Sequence, residues 1–342
     1  MLQTLSGTSR ARTQVITLGI LVLALVLCCA VSLFIGSRGV EPSAVWQALW
    51  HPEQAQTEIT VLVHELRIPR IVIGVAVGAA LGLAGALTQG HTRNPLADPG
   101  LLGVTSGAAL AIVAAAFFLG VTSPGVQVWF AFGGAVIGAT LVFAISALGG
   151  SATNPLTLIL AGSALTAFLT AMTTMLVLSD RGALNVQRYW QAGTVAGRDL
   201  SVLTDVLPYL VVGTVIALLS GRTLTLLGLG DSAARSLGAR PGLARWSGFV
   251  AIVVLAGAAT AVAGPIGFVG LVVPHIARLI GGPDYRWVIP VSGLLGAILV
   301  VVADTVGRII AAPSEVQASI MLAFIGAPVF ILLVRRRLPV GP

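Results

Sequence analysis

Asp304 and Arg308 stand four residues apart in an otherwise apolar run. At that spacing an acid and a base meet across one helical turn, with the acid on the favourable N-terminal side. An ionisable pair at such a place is either part of a proton or ion pathway or a structural pair at the membrane interface, and the residues leave both readings open. Arg67 and Arg70 open another apolar run, either as interface anchors or as a positive patch for an acidic partner. Other chemistry finds few residues. His51, His64, His91 and His275 lack metal-ligand spacing, and His275 reads as a local hydrogen-bonding residue. Cys28 and Cys29 are adjacent, so they neither join distant parts of the chain nor form a metal cluster. There is no lysine and no Gly-x-x-x-x-Gly-Lys-Ser/Thr, so no P-loop can hold ATP here. The chain is not expected to be an enzyme, to ligate a metal or to carry a cofactor.

The elements that would position these residues follow from composition. Of 342 residues, 56% are hydrophobic and 9% are charged, against about 25% charged in soluble domains, which excludes a soluble globular protein. The fold class is an all-α polytopic membrane protein. Ten apolar segments are expected to cross the bilayer: Val15–Ile35, Ile71–Leu87, Leu101–Leu119, Val126–Leu148, Leu156–Leu178, Val202–Leu219, Trp246–Ala263, Ile266–Ile280, Val288–Val306 and Ile320–Val334. The first run, 21 residues long, exceeds the roughly 7 to 15 of a signal-peptide core, and the bulky Leu27 before Cys28 argues against a lipoprotein site. Several segments are short and broken by glycine or proline, so some helices belong inside the bundle, away from lipid. With no linker, charge run or low-complexity stretch, residues 1–342 read as one transmembrane domain.

All 19 basic residues are arginine and the net charge is +7. They are scattered at segment ends and form no single stripe, so nucleic acid is not an expected partner; they read as topology signals for a lipid bilayer. A cytoplasmic N-terminus puts 12 arginines and three acids (Asp98, Asp231, Asp284) inside, and 7 arginines and 9 acids outside. This bias places both termini in the cytoplasm. The external stretch Gly36–Pro69 reads as a loop with a short interfacial helix carrying Trp46 and Trp50, and Ser179–Ser201, with Tyr189 and Trp190, reads as a second region of aromatic anchors. Asn94–Gly100, with Pro95 and Pro99, reads as a rigid inner turn.

One loop differs from the rest. In Gly230-Asp231-Ser232-Ala233-Ala234-Arg235-Ser236-Leu237-Gly238, Asp231 is placed as an N-cap and Gly238 as a stop. The short helix so spelled, within a cytoplasmic loop of about residues 221–245, is marginal in water unless it packs on something.

Longer motifs add a resemblance. Leu66-Arg67-Ile68-Pro69-Arg70, Gly85-Ala86-Leu87-Thr88-Gln89-Gly90, the run from Asn94 to Val104, the run from Gly267 to Arg278, Ala303-Asp304 with Arg308, and Ile325-Gly326-Ala327-Pro328 occur in this order. From about Arg67 to Arg336 the chain resembles the permease subunit of type II ABC importers for iron-siderophores, haem and cobalamin. That resemblance implies a ten-helix permease of the cytoplasmic membrane, paired with an identical or paralogous permease around a central pathway. It implies two cytoplasmic ATPase subunits bound at the loop after the sixth segment, so that Gly230 to Gly238 becomes a coupling helix. It also implies an extracytoplasmic solute-binding protein docking on Arg67, Arg70 and Arg308, and a cytoplasmic gate near Ser151, Thr153 and Asn154. After Pro313 and Glu315 the sequence departs from the family's usual pattern at Gln317, Ser319 and Leu322, leading into the tenth segment, which lines the pathway in the family, and it departs again at Thr194-Val195. The expected function is ATP-driven import of an iron-siderophore, with cobalamin or haem as the alternative within the class and ion-coupled secondary transport as the alternative outside it.

Overall fold

The computed structural model describes residues 3–37, 39–148 and 155–337. The expected gate residues Ser151, Thr153 and Asn154 lie outside the described residues. Among the described residues the regular structure is entirely helical. In chain order the helices are α1 (Gln3–Phe34), α2 (Pro42–Trp50), α3 (Thr57–Val61), α4 (Ile68–Thr92), α5 (Val104–Leu119), α6 (Pro124–Leu148), α7 (Pro155–Ser179), α8 (Arg181–Gln191), α9 (Leu200–Leu227), α10 (Asp231–Ser236), α11 (Pro241–Ala263), α12 (Val269–Gly281), α13 (Tyr285–Ile310) and α14 (Ala318–Arg337). A π-helical stretch, Leu62–Arg67, joins α3 to α4, and a 3₁₀ turn, Pro99–Leu102, precedes α5.

Each of the ten apolar segments coincides with a helix: α1, α4 to α7, α9 and α11 to α14. Seven of these are long and apolar enough to cross a membrane, while α5, α12 and the apolar part of α14 are shorter. At about 1.5 Å per residue, the 13 residues of α12 span only part of a hydrocarbon core about 30 Å thick.

The bundle is built on α4, whose most extensive partner is α13. Small residues let the two backbones touch, the usual route to close helix packing in membranes. A Cβ added at Gly82 would lie 2.1 Å from the Ser292 carbonyl oxygen, and one at Gly296 would lie 2.2 Å from that of Gly78. The pair α5 and α6 repeats the device through Gly107 and Gly134. By contrast α1 is peripheral, with 6% of its apolar window buried.

Proline positions show how backbone groups are satisfied where water is absent. Pro274 inside α12 cannot donate the hydrogen bond that the Gly270 carbonyl would receive. The buried Gln89 of α4 supplies it, its Nε2 donating to the carbonyls of Gly270 (3.1 Å) and Leu271 (3.0 Å). Arg278 in turn donates to Gln89 Oε1 at 2.5 Å. Within the inner turn, Asn94 and Asp98 accept from Leu96 N (2.9 Å) and Gly100 N (2.8 Å).

Two expectations need correction. Thr57–Pro69 is helical and runs on into α4 instead of forming loop. The π-helical stretch makes this possible: the Ile68 amide donates five residues back to the Val63 carbonyl, so the chain passes Pro69 by locally changing its hydrogen-bond register. Trp190 is also no membrane anchor. Asp180 caps α8 by accepting from Ala183 N at 2.6 Å, and α8 folds back on α5, leaving Trp190 4% exposed in the core while Tyr189 beside it is 80% exposed.

Adding a methyl group at the α4–α13 contact should force the backbones apart. Gly82→Ala and Gly296→Ala are each expected to lower stability by about 1 to 3 kcal/mol. Gly133→Ala, with no atom within 4 Å of its added Cβ, should be neutral or slightly stabilising. Thermal unfolding in detergent compares the three, and equal midpoints would refute the close-contact account.

Candidate functional site

Two charged clusters occupy opposite ends of the bundle. At the end where α1 finishes and α4 begins, Arg70 grips Asp304 with two nitrogens: Nε lies 2.8 Å from Oδ2 and Nη2 lies 2.7 Å from Oδ1. Its Nη1 donates to Glu315 at 2.6 Å. Burial raises the pKa of the Glu315 carboxyl, but the hydrogen bond and charge of Arg70 outweigh it and hold the group below its ordinary value.

Arg67 and Arg308 serve the end of α1. The last carbonyls of a helix have no partner within it and carry the negative end of its dipole. Arg67 Nη1 donates to the carbonyls of Leu33 (2.7 Å) and Phe34 (3.3 Å). Arg308 Nη1 donates to those of Ser32 (3.2 Å) and Ile35 (3.0 Å), and its Nη2 donates to Thr305 Oγ1 (3.2 Å). Arg308 Nε also lies 3.4 Å from Asp304 Oδ2. Both arginines are buried, at 4% and 2% exposure. The three arginines expected to act together are thus brought together, each with partners inside the chain.

They border an open cavity of about 660 Å³ whose wall also holds Arg198, Glu65, Asp199 and Glu315. Arg198 comes from the segment between α8 and α9, and no motif in the sequence singled it out.

At the opposite end, α10 is pinned by one carboxylate. Asp231 Oδ1 accepts from Arg93, at the end of α4, and Oδ2 accepts from Arg245 of α11, both at 2.6 Å. This corrects the expected role of Asp231. The N-cap position belongs to Gly230, at φ +104°, a conformation glycine adopts most easily, which frees the Asp231 carboxylate to bridge two helices. The helix ends as expected, with Gly238 at φ +83° and the Ala239 amide donating to the Ala234 carbonyl at 2.9 Å. Ala234 is fully buried against the bundle, while Ser232, Arg235, Ser236, Leu237 and Gly238 are exposed and Ala233 is half-buried. Leu229 and Leu237 are 65% and 57% exposed.

The four histidines stay apart in the chain, and among the described residues no group of three or more His, Cys, Asp or Glu side chains could hold a metal ion.

The sequence model of the FecCD transport family matches residues 23–336, and the chain belongs to that family. It is 43% identical over 329 residues to the ferric enterobactin transport system permease protein FepD of Escherichia coli (strain K12), covering 96% of this chain and 98% of FepD. It is 42% identical over 286 residues to the cobalamin import system permease protein BtuC of Halobacterium salinarum, covering 84% of this chain and 75% of that protein. Among solved structures it is similar to a chain assigned as a metal-chelate type ABC transporter in an inward-facing conformation, with a TM-score of 0.80, 29% identity and coverage of 94% of this chain and 99% of the other. The fold is that of an ABC type II importer permease.

Two outcomes follow from this geometry. Removing the buried acid in Asp304→Ala leaves Arg70 and Arg308 without it, and should cost about 3 to 5 kcal/mol in denaturant unfolding of the detergent-purified protein. At the other end, the Asp231 carboxyl is raised by burial but held below its ordinary value by the hydrogen bonds and charges of Arg93 and Arg245. A depressed folded pKa means that the clasp stabilises above the unfolded value of about 4 and loses that contribution as pH falls through the folded value. Hydrogen exchange should therefore show several-fold less protection of α10 in Asp231→Asn than in the wild type at pH 7, with the difference closing in acid. Equal protection at pH 7 would remove the clasp from consideration.

Proposed function

We propose that this chain passes an iron-siderophore across the cytoplasmic membrane, with both termini in the cytoplasm. As a multi-pass permease of an ABC importer it is not itself an enzyme, and ATP hydrolysis belongs to a separate subunit. Ten crossings place α10 inside and the arginine cavity outside. Two ATPase subunits bind Gly230 to Gly238 on a pair of permeases, identical or paralogous, and an extracytoplasmic solute-binding protein docks over the cavity, with Arg67, Arg70 and Arg308 forming its wall. Ser151, Thr153 and Asn154 contribute the cytoplasmic gate.

The observation that carries this reading is α10. A six-residue helix is too short to hold itself in water, yet it turns exposed residues outward and is tied to both α4 and α11 by a single acid. That is the construction needed of a contact that receives force from a partner and passes it into the bundle. Nucleotide binding favours one arrangement of the permease pair only if the ATPase contacts differ between arrangements, and α10 is where that difference enters. The iron-chelate substrate is supported by the relative named for ferric enterobactin; the relative named for cobalamin keeps that substrate as the comparison.

Reconstituted vesicles test the function. Uptake of radioactive iron as ferric enterobactin or ferric citrate should require both internal ATP and the binding protein, and excess cobalamin should not compete. Uptake that persists without ATP and collapses with the proton gradient would make the chain an ion-coupled carrier.

A further inference from the structure

Beside the clasp on α10 lies a small internal cavity of about 50 Å³, between α4, α6, α7 and α11. Most of its wall is apolar, and Phe143 of α6 and Phe249 of α11 pack together on it with ring centroids 4.7 Å apart. His91 of α4 also lines it. Both of its ring nitrogens are buried, and neither has a hydrogen-bond partner among the described residues. A neutral imidazole carries one donor and one acceptor. Burying such atoms unmet is costly, and a native structure that does so requires a reason.

The ring is seated against Gly248 of α11, where an added Cβ would collide with Nε2. The other polar residues of the wall are Thr88, Thr92 and Arg245. Thr88 and Thr92 commit their hydroxyl protons to α4 itself, donating to the carbonyls of Ala84 (2.7 Å) and Thr88 (2.6 Å). A hydroxyl has one proton, so neither can also donate to His91. Arg245 has five N–H groups and stands three residues before Gly248, on the adjoining turn of the same face of α11. In this structure its Nη2 is drawn to Asp231 of α10 at 2.6 Å.

We infer that His91 is a positioning residue for coupling, the second acceptor for Arg245. The guanidinium donates to Asp231 in the arrangement seen here and to the His91 ring once α10 is drawn away from α11. Asp231 keeps Arg93 in both arrangements, since Arg93 directly follows the end of α4 that carries His91. Each arrangement leaves a different acceptor unmet: the His91 ring in one, one oxygen of Asp231 in the other. Two arrangements matched in this way form a bistable element, and a difference in ATPase contact selects between them. The inference rests on the proposed importer reading and names the residue through which α10 acts on the bundle.

The permease–ATPase complex in lipid nanodiscs, with isotopically labelled histidine ring nitrogens, is compared by NMR without nucleotide and trapped with ATP and vanadate. The His91 signal, identified by its loss in His91→Gln, should move to a hydrogen-bonded position in the trapped complex and should stay in place in Arg245→Leu. In vesicles with the binding protein, His91→Leu should keep or raise the thermal midpoint, because it removes the unmet atoms. It should nevertheless lower ATP-driven uptake of ferric enterobactin by about fivefold, as expected when one of two states loses a hydrogen bond. His91→Gln, which restores an acceptor, should recover most of that uptake, whereas a merely structural role would move midpoint and uptake together. Uptake by a folded His91→Leu equal to wild type overturns the inference. So does a wild-type His91 signal that is the same in both states, as a permanently bound water would give, and this spectrum decides the matter even if His91→Leu does not fold. Both outcomes leave the importer reading standing if wild-type uptake requires ATP, whereas wild-type uptake independent of ATP overturns that reading and this inference together.

Discussion

Hydrocarbon offers no hydrogen bonds, and the rest of the structure is arranged around that deficit. A backbone group without a partner in lipid costs several kcal/mol, so each place where a helix is broken or ends must bring its own donor. Gln89 performs this at the proline of α12, the π-helical register shift performs it before Pro69, and two arginines perform it at the end of α1. The glycine contacts between α4 and α13 belong to the same logic. Backbones that touch leave no gap between helices that share no aqueous driving force for association.

The apolar segments were legible because composition alone separates membrane helices from the rest, and each expected segment is a helix. The short helix α10 was legible from its run of helix formers and its Gly238 stop, and the inner turn from its prolines. The missing parts share a physical cause: they depend on residues far apart in the chain. Asp304 reads locally as the partner of Arg308, four residues on, yet its bidentate partner is Arg70, 234 positions away. Asp231 reads locally as a cap, and only the fold shows Arg93 and Arg245 converging on it. Trp190 lies in a polar stretch that looks interfacial, and its burial follows from α8 folding back on α5. Arg198 carried no local signal, because its place on the cavity wall is a property of the fold and not of the sequence.

The two charged ends differ in what they leave unmet. At the α10 end, one acid satisfies two arginines, and the apolar side chains of Leu229 and Leu237 are left exposed. At the opposite end Arg67, Arg70 and Arg308 have partners inside the chain, and Arg198 has none among the described residues. Between them run α4, α11 and α13, and α4 takes part in both clusters, through Arg70 at one end and Arg93 at the other. One helix thus carries an ionic contact at each end of the bundle.

The latch on α1 also bears on how the protein is made. Ser32 and Arg308 are 276 positions apart, so a chain emerging from the ribosome places α1 long before the second of the two arginines that serve its last carbonyls exists. Until α13 is made, Arg67 can serve the carbonyls of Leu33 and Phe34, while those of Ser32 and Ile35 still lack Arg308. The latch on α1 is completed only when α13 arrives, which makes closure of that end of the bundle one of the late events in the birth of the protein.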